Sequence, residues 1–174
     1  MTNQTEKYEN YPAWIVLVYN LIAFSIYAAG LYLSYLIWPW LALAFLAYAI
    51  YLEVAIYREG CRYCYYYGKI CVAGRGKIAK FFMKKGDPRK FTEKTVEFKD
   101  FIPTFLFSIM IIAAGIYLLI FRGFDWIILG ITLWPVIIFF GNQITYGQLA
   151  CPHCKQGEVG CPACEYFMKA QEKK

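Results

Sequence analysis

Residues 13–57 read AWIVLVYNLIAFSIYAAGLYLSYLIWPWLALAFLAYAIYLEVAIY, and this stretch decides the class of fold. Between Glu9 and Glu53 the chain carries no Asp, Glu, Lys or Arg. A soluble domain has about a quarter charged residues, spread over its surface. This chain of 174 residues is 60% hydrophobic and only 17% charged. We therefore expect lipid to be the solvent for much of it.

Four stretches are long and apolar enough to cross a membrane. A spanning helix needs roughly 20 mostly apolar residues, because about 30 Å of hydrocarbon is crossed at about 1.5 Å per residue. Residues 13–57 therefore hold two helices. The break falls at Trp38-Pro39-Trp40, since proline suits a first helical turn and tryptophan suits the membrane interface. The predicted spans are 13–37, 40–57, 101–121 and 126–146.

The basic residues predict the orientation of these spans, because Lys and Arg stay on the cytoplasmic side. With four spans, both termini and the 58–100 connector share one side, which carries 17 of the 18 Lys and Arg residues. The remaining one is Arg122. The sequence predicts an all-α integral protein of the cell membrane, with four transmembrane helices arranged as two hairpins. Both termini are expected to be cytoplasmic, as are small cysteine-rich, metal-binding loops.

The predicted organisation has five segments, and parts of it recur. They are a cytoplasmic N-terminal tail (1–12), a first hairpin (13–57), a basic connector (58–100), a second hairpin (101–146) and a cytoplasmic tail (147–174). The sequence Ala-Ala-Gly at 28–30 recurs at 113–115, and three connector cysteines match three tail cysteines at an offset of 90. These matches indicate an internal duplication. The alternative is chance resemblance between apolar helices.

The tail carries the strongest motif, Cys151-Pro-His-Cys154, six residues, then Cys161-Pro-Ala-Cys164. These two knuckles resemble those of rubredoxins and zinc ribbons, in which such a turn aims two thiolates at one tetrahedral metal. The connector holds a related pattern, in which Cys61-Arg-Tyr-Cys64 is followed after six residues by Cys71. Gly74 stands where a fourth cysteine would fall.

The reducing cytoplasm favours metal binding over disulfides for clustered cysteines, and an odd number of cysteines fits complete pairing poorly. Zinc is the favoured metal, with iron or an iron–sulfur cluster as the alternative, since both accept tetrahedral thiolate sites. Thiol redox chemistry or transient metal capture also remains open. The tail either closes its own site or shares sites with the connector. The predicted ligands are Cys61, Cys64, Cys71, Cys151, Cys154, Cys161, Cys164 and, unless it is merely an exposed knuckle residue, His153.

Two further groups of residues suggest binding. A basic run with interleaved apolar residues predicts a short interfacial helix that binds anionic lipid headgroups, through Arg75, Lys77, Lys80, Lys84 and Lys85. Nucleic acid binding is not expected beside a bilayer. Ionisable residues within a span are functional by default, so Glu53, Asn142 and Gln143 predict a small polar site. The alternative is that Glu53 reaches the interface and pairs with a basic residue.

Three functions follow from these features. The first is a zinc-thiolate platform that fixes the loops and docks a soluble cytoplasmic protein. The second is a membrane-bound electron carrier with iron in the cysteine cage. The third, soft-metal handling or transport, has least support because no cysteine lies in a predicted span. No catalytic constellation is visible, so an enzymatic role stays open. Small residues in the helices also favour a homodimer.

Overall fold

A computed structural model describes residues 6–92, 98–161 and 163–165, and the side chains of 92, 98–101 and 143 lie outside the description. Within this part the protein is helical and no residue forms a β-strand. The α-helices are α1 (Ala13–Ile37), α2 (Pro39–Ile56), α3 (Arg75–Phe82), α4 (Arg89–Thr92), α5 (Phe98–Phe121), α6 (Trp126–Ile144) and α7 (Lys155–Val159).

Four helices of the described chain are long and apolar enough to cross a membrane, as predicted. They are Ala13–Ile37, Pro39–Cys61, Ile102–Phe121 and Trp126–His153. Between 11% and 28% of their most apolar windows is buried inside the protein, so most of their apolar surface points outwards. Continuous apolar surface of this extent is typical of contact with lipid and not with water.

Two of these spans extend beyond their predicted ends through π-helical turns. The turn Tyr57–Cys61 continues α2, and the turn Thr145–Ala150 continues α6 before a 3₁₀ turn at Cys151–His153. The apolar pattern in the sequence ends at the first polar residues, whereas the helix itself can leave the hydrocarbon and continue into water. As a result, each helix runs directly into the first cysteine of one cysteine motif. Turns of the π type are rare in proteins overall, and those that occur are often at functional sites.

The chain forms two compact units. The first, here called the cysteine unit, comprises Met1–Asn20, Ala55–Val96 and Gly141–Lys174. The second, called the helical unit, comprises Leu21–Val54 and Glu97–Phe140. All seven cysteines belong to the cysteine unit.

The helical unit is packed around apolar side chains and two close helix contacts. Its buried core is Leu33, Phe45, Ala49, Leu52, Phe107, Ile111, Leu118 and Ile128. A β-carbon added at Gly30 of α1 would collide with the ring of Phe45 from α2, and one added at Gly115 of α5 would collide with Thr132 from α6. Small residues at these points let neighbouring helices approach closely. The glycines of the two recurring Ala-Ala-Gly sequences thus both lie at a close contact between neighbouring helices.

Candidate functional site

The tail motif begins where the extension of α6 ends. The amide of Cys154 donates to the carbonyl of Cys151 at 3.1 Å, and the amide of Gly157 donates to the carbonyl of Cys154 at 3.1 Å. A hydrogen bond from the Cys164 thiol lowers the pKa of Cys154, and bonds from the amides of Gln156 and Gly157 add to this effect. The turn therefore aims backbone N–H dipoles at a sulfur, which favours the thiolate.

The four tail thiols lie together. Cys151, Cys161 and Cys164 are buried, and Cys154 packs against them. Interactions with the thiols of Cys151, Cys154 and Cys161 raise the pKa of Cys164. The interaction with Cys164 lowers the pKa of Cys161. Four sulfurs in one small volume hold protons that a cation would displace, because metal ligation requires deprotonated thiols.

The four tail sulfurs form a cluster of thiols. Across the described residues, no group of three or more His, Cys, Asp or Glu side chains has an arrangement that would already hold a metal ion. All seven cysteines are free of disulfide bonds. The tail therefore presents four sulfur donors that are free of disulfide bonds.

The connector repeats the geometry of the tail turn. The amide of Cys64 donates to the carbonyl of Cys61 at 3.4 Å, and the amide of Tyr67 donates to the carbonyl of Cys64 at 3.0 Å. These positions match the tail bonds at the offset of 90. Burial raises the pKa of Cys64 to about 12, although a hydrogen bond from the amide of Tyr66 acts in the opposite direction. The shared hydrogen-bond pattern agrees with the predicted duplication.

The third connector cysteine is held by a glycine. The amide of Gly76, in α3, donates to Sγ of Cys71 at 3.4 Å. A β-carbon at Gly76 would collide with the carbonyl oxygen of Tyr66 and lie 2.7 Å from that of Lys69. Only glycine can bring this amide so close to the loop.

Cys154 is the sulfur common to both groups. It packs against the buried cysteines of the tail. It also packs, with Cys64 and Cys71, against the buried rings of Tyr11 and Tyr66. The structure thus brings the connector and the tail cysteines into one unit, and leaves both the separate and the shared ligand sets open.

The N-terminal segment binds both cysteine motifs, which the sequence did not predict. The amide of Tyr8 donates to the carbonyl of His153 at 3.0 Å. The hydroxyl of Tyr11 donates to the carbonyl of Ala150 at 2.6 Å, and that of Tyr66 donates to the carbonyl of Tyr8 at 2.6 Å. Burial raises the pKa of both Tyr11 and Tyr66, so these phenols stay protonated as donors.

A charged cluster at Glu9 joins the same three segments at the surface. The carboxylate of Glu9 pairs with Lys155 from the tail and with Lys69 from the connector, the latter at 2.7 Å. The hydroxyl of Tyr65 also donates to it, at 3.0 Å. The bonds from Lys155, Lys69 and Tyr65, in that order, lower the pKa of Glu9 to about 2.

A buried amide side chain completes the link between connector and tail. Gln156 is 3% exposed. Its Oε1 accepts a hydrogen bond from the amide of Tyr65 at 2.6 Å, and its Nε2 donates to the carbonyl of Gly160 at 3.0 Å. Nothing in the sequence distinguishes Gln156 from an ordinary exposed glutamine, because its role depends on a loop about 90 residues away.

The imidazole of His153 contacts the N-terminal segment. It stacks on the ring of Tyr8 with centroids 4.6 Å apart. Its Nδ1 lies 2.7 Å from the carbonyl oxygen of Glu6. Since a carbonyl oxygen only accepts hydrogen bonds, Nδ1 carries the proton. These contacts give His153 a packing role of its own.

The other predicted residues are on α2, α6 and α3. Glu53, in α2, accepts a hydrogen bond from the hydroxyl of Tyr27 in α1. Asn142 lies near the end of α6, and the side chain of Gln143 is outside the described residues, so the polar site of the three stays a prediction. The predicted lipid-binding residues lie on α3 and just after it: Arg75, Lys77, Lys80, Lys84 and Lys85.

Comparison of the chain with protein-family models, with curated proteins and with solved structures finds no match.

Proposed function

We propose that this chain is an integral membrane protein whose tail cysteines, Cys151, Cys154, Cys161 and Cys164, bind one zinc ion. The ion makes the cysteine unit a structural platform that docks a soluble partner. The observation that carries this proposal is the packing of the four tail cysteines into one cluster. Zinc with four sulfur ligands has no open position for substrate, so such a site is structural and not catalytic.

Zinc binding requires the thiols to lose their protons and to move closer together. In a tetrahedral site with Zn–S bonds of about 2.3 Å, the sulfurs lie about 3.8 Å apart. No group of three or more ligand side chains among the described residues already has such an arrangement, so the ion would draw the clustered tail sulfurs into it. The amides directed at Cys154 and Cys161 would then stabilise the bound thiolates. His153 is left out of this ligand set because its contacts are with the N-terminal segment.

The proposal places the platform on the cytoplasmic side. Helices α1 and α2 would form one hairpin and α5 and α6 the other, with the cysteine loops and both termini on the side of the basic residues. Of 18 Lys and Arg residues, only Arg122 lies in a loop on the other side. A bound zinc would fix the tail turn to which the N-terminal segment and the connector are hydrogen-bonded.

Metal content tests this function. The full chain would be purified anaerobically in mild detergent, and its metals and visible spectrum measured. We expect about one zinc per chain and no colour. The variant Cys164→Ser should lose the zinc, whereas Cys71→Ser, a matched change in the connector, should keep it.

Other outcomes would replace the proposal. Stoichiometric iron with charge-transfer bands would make this chain an electron carrier. Zinc lost from both variants alike would indicate sites shared between connector and tail. Metal-free protein with seven titratable thiols would exclude both the zinc and the iron site.

A further inference from the structure

Helix α3 presents an uncovered apolar stripe beside lysines. Ile78, Phe81 and Phe82 are spaced at i, i+3 and i+4, which places them on one side of the helix. Their exposed fractions are 45%, 79% and 77%. The opposite side, with Gly76 and Ala79, is buried against the cysteine unit. The stripe therefore points away from the protein and has no cover of its own.

The charges that flank α3 in the sequence are of one sign. No Asp or Glu lies between Glu59 and Asp87, whereas Lys77 and Lys80 lie on α3 and Lys84 and Lys85 follow it. Within the part of the chain that the structure describes, these four lysines form no ion pair. The carboxylate of Glu9 is engaged by Lys69 and Lys155 instead.

Contacts with α1 set the depth of α3. The side-chain amide of Asn20 donates to the carbonyl of Ala73 at 3.3 Å. A β-carbon at Gly74 would lie 3.3 Å from Val16. Asn20 is seven residues after Ala13, the first residue of the span. At a rise of about 1.5 Å per residue, Asn20 lies about 10 Å along α1 from Ala13, and the chain that leads into α3 is held at that level. Interfacial amphipathic helices lie about 5–10 Å into the boundary between headgroups and acyl chains.

We propose that α3 lies in the membrane interface and binds anionic lipid there. Ile78, Phe81 and Phe82 insert among the acyl chains, and Lys77, Lys80, Lys84 and Lys85 contact the phosphate groups of the headgroups. The occupant of this surface is the bilayer in which the chain itself is embedded. The proposal does not depend on zinc, since it rests on the depth of α3, its exposed aromatic rings and the uncompensated lysines.

Site-specific photo-crosslinking tests the position of the stripe. The full chain would carry benzoylphenylalanine in place of Phe81 and be reconstituted into vesicles of equal parts phosphatidylglycerol and phosphatidylcholine. The control carries it in place of Val159, an exposed apolar residue on α7 (54% exposed). We expect lipid adducts at position 81 and at least tenfold fewer at position 159. Equal yields at the two positions, or adducts at 81 to a second copy of the chain, would overturn the proposal.

Native mass spectrometry tests the headgroup preference on the same detergent-purified chain. In Lys77→Gln/Lys80→Gln, the preference for phosphatidylglycerol over phosphatidylcholine should fall about fivefold for each lysine removed. The control Lys7→Gln/Lys90→Gln removes the same charge elsewhere in the cysteine unit and should keep the preference. A preference that is unchanged in the α3 variant, or equally reduced in the control, would contradict headgroup binding by α3.

Discussion

Gly76 joins α3 to the connector through contacts that no other residue can make. Its amide donates to Cys71, and an added β-carbon would meet two backbone carbonyls, which cannot turn aside as a flexible side chain can. We expect Gly76→Ala to lower the free energy of unfolding by about 1–3 kcal/mol, the usual cost of overpacking. Thermal unfolding in detergent measures this. The control Gly60→Ala adds the same methyl group where no atom lies within 4 Å, and an equal loss there would contradict the explanation.

Glu9 predicts a pH dependence whose sign follows from its lowered pKa. Bonds from Lys155, Lys69 and Tyr65 lower the pKa to about 2, from an ordinary value of 4.5. Its contribution to stability is therefore fully present above pH 4.5 and is lost as the pH falls towards 2. We expect Glu9→Gln to lower the melting temperature at pH 7, with a gap from the wild type that narrows between pH 4.5 and 2.

The control for Glu9 is Glu158→Gln on α7, which removes an exposed carboxylate that forms no ion pair within the described part of the chain. Because Glu9 is itself solvent-exposed, its effect should be modest and should shrink further in high salt. A gap between wild type and Glu9→Gln that is independent of pH would show that the carboxylate charge is not what matters.

At the scale of single helices, the contact between α5 and α6 makes a double-mutant prediction. A β-carbon at Gly115 would collide with Oγ1 of Thr132 and lie 2.8 Å from its Cγ2, two atoms that alanine lacks. Gly115→Ala should therefore cost about 1–3 kcal/mol, and less in a Thr132→Ala background, where the opposing side chain is smaller. Gly130→Ala, with no atom within 4 Å, is the control. Costs that simply add in the double variant would show that the two residues do not oppose each other.

Helices were the part of the fold that the sequence could predict well, because about 20 apolar residues leave little choice in lipid. Ala13–Ile37 has its predicted bounds, and Pro39–Ile56 and Trp126–Ile144 differ from theirs by one or two residues. The π-helical extensions to Cys61 and Ala150 were missed, because residues such as Arg58 and Glu59 end the apolar pattern without ending the helix.

At the scale of the whole molecule, spacing alone predicted that the tail cysteines lie together but not what surrounds them. The grouping of the four tail thiols was foreseeable from two CPxC knuckles. The binding of the N-terminal segment was not, since Tyr8, Glu9 and Tyr11 make bonds to residues 56 to 146 positions away. Such contacts between short polar segments carry no periodic signal. The site is thus built from three distant segments, and its stability should be shared among them.

Removal of the proposed zinc tests that sharing. The tail turn accepts hydrogen bonds from the amides of Tyr65 and Tyr8, on Gln156 and His153, and its Lys155 amide donates to the hydroxyl of Tyr66. If zinc holds this turn, a chelator under reducing conditions should raise amide hydrogen exchange in the N-terminal segment and the connector as well as in the tail. Structural zinc contributes about 10 kcal/mol or more in small domains, so we expect increases of tenfold or greater. The buried core around Ile111 should keep its protection, because it packs within the helical unit.

Exchange that rises in the tail alone would show that each cysteine loop is held independently. In that case Cys151→Ser should leave protease cleavage in the connector unchanged.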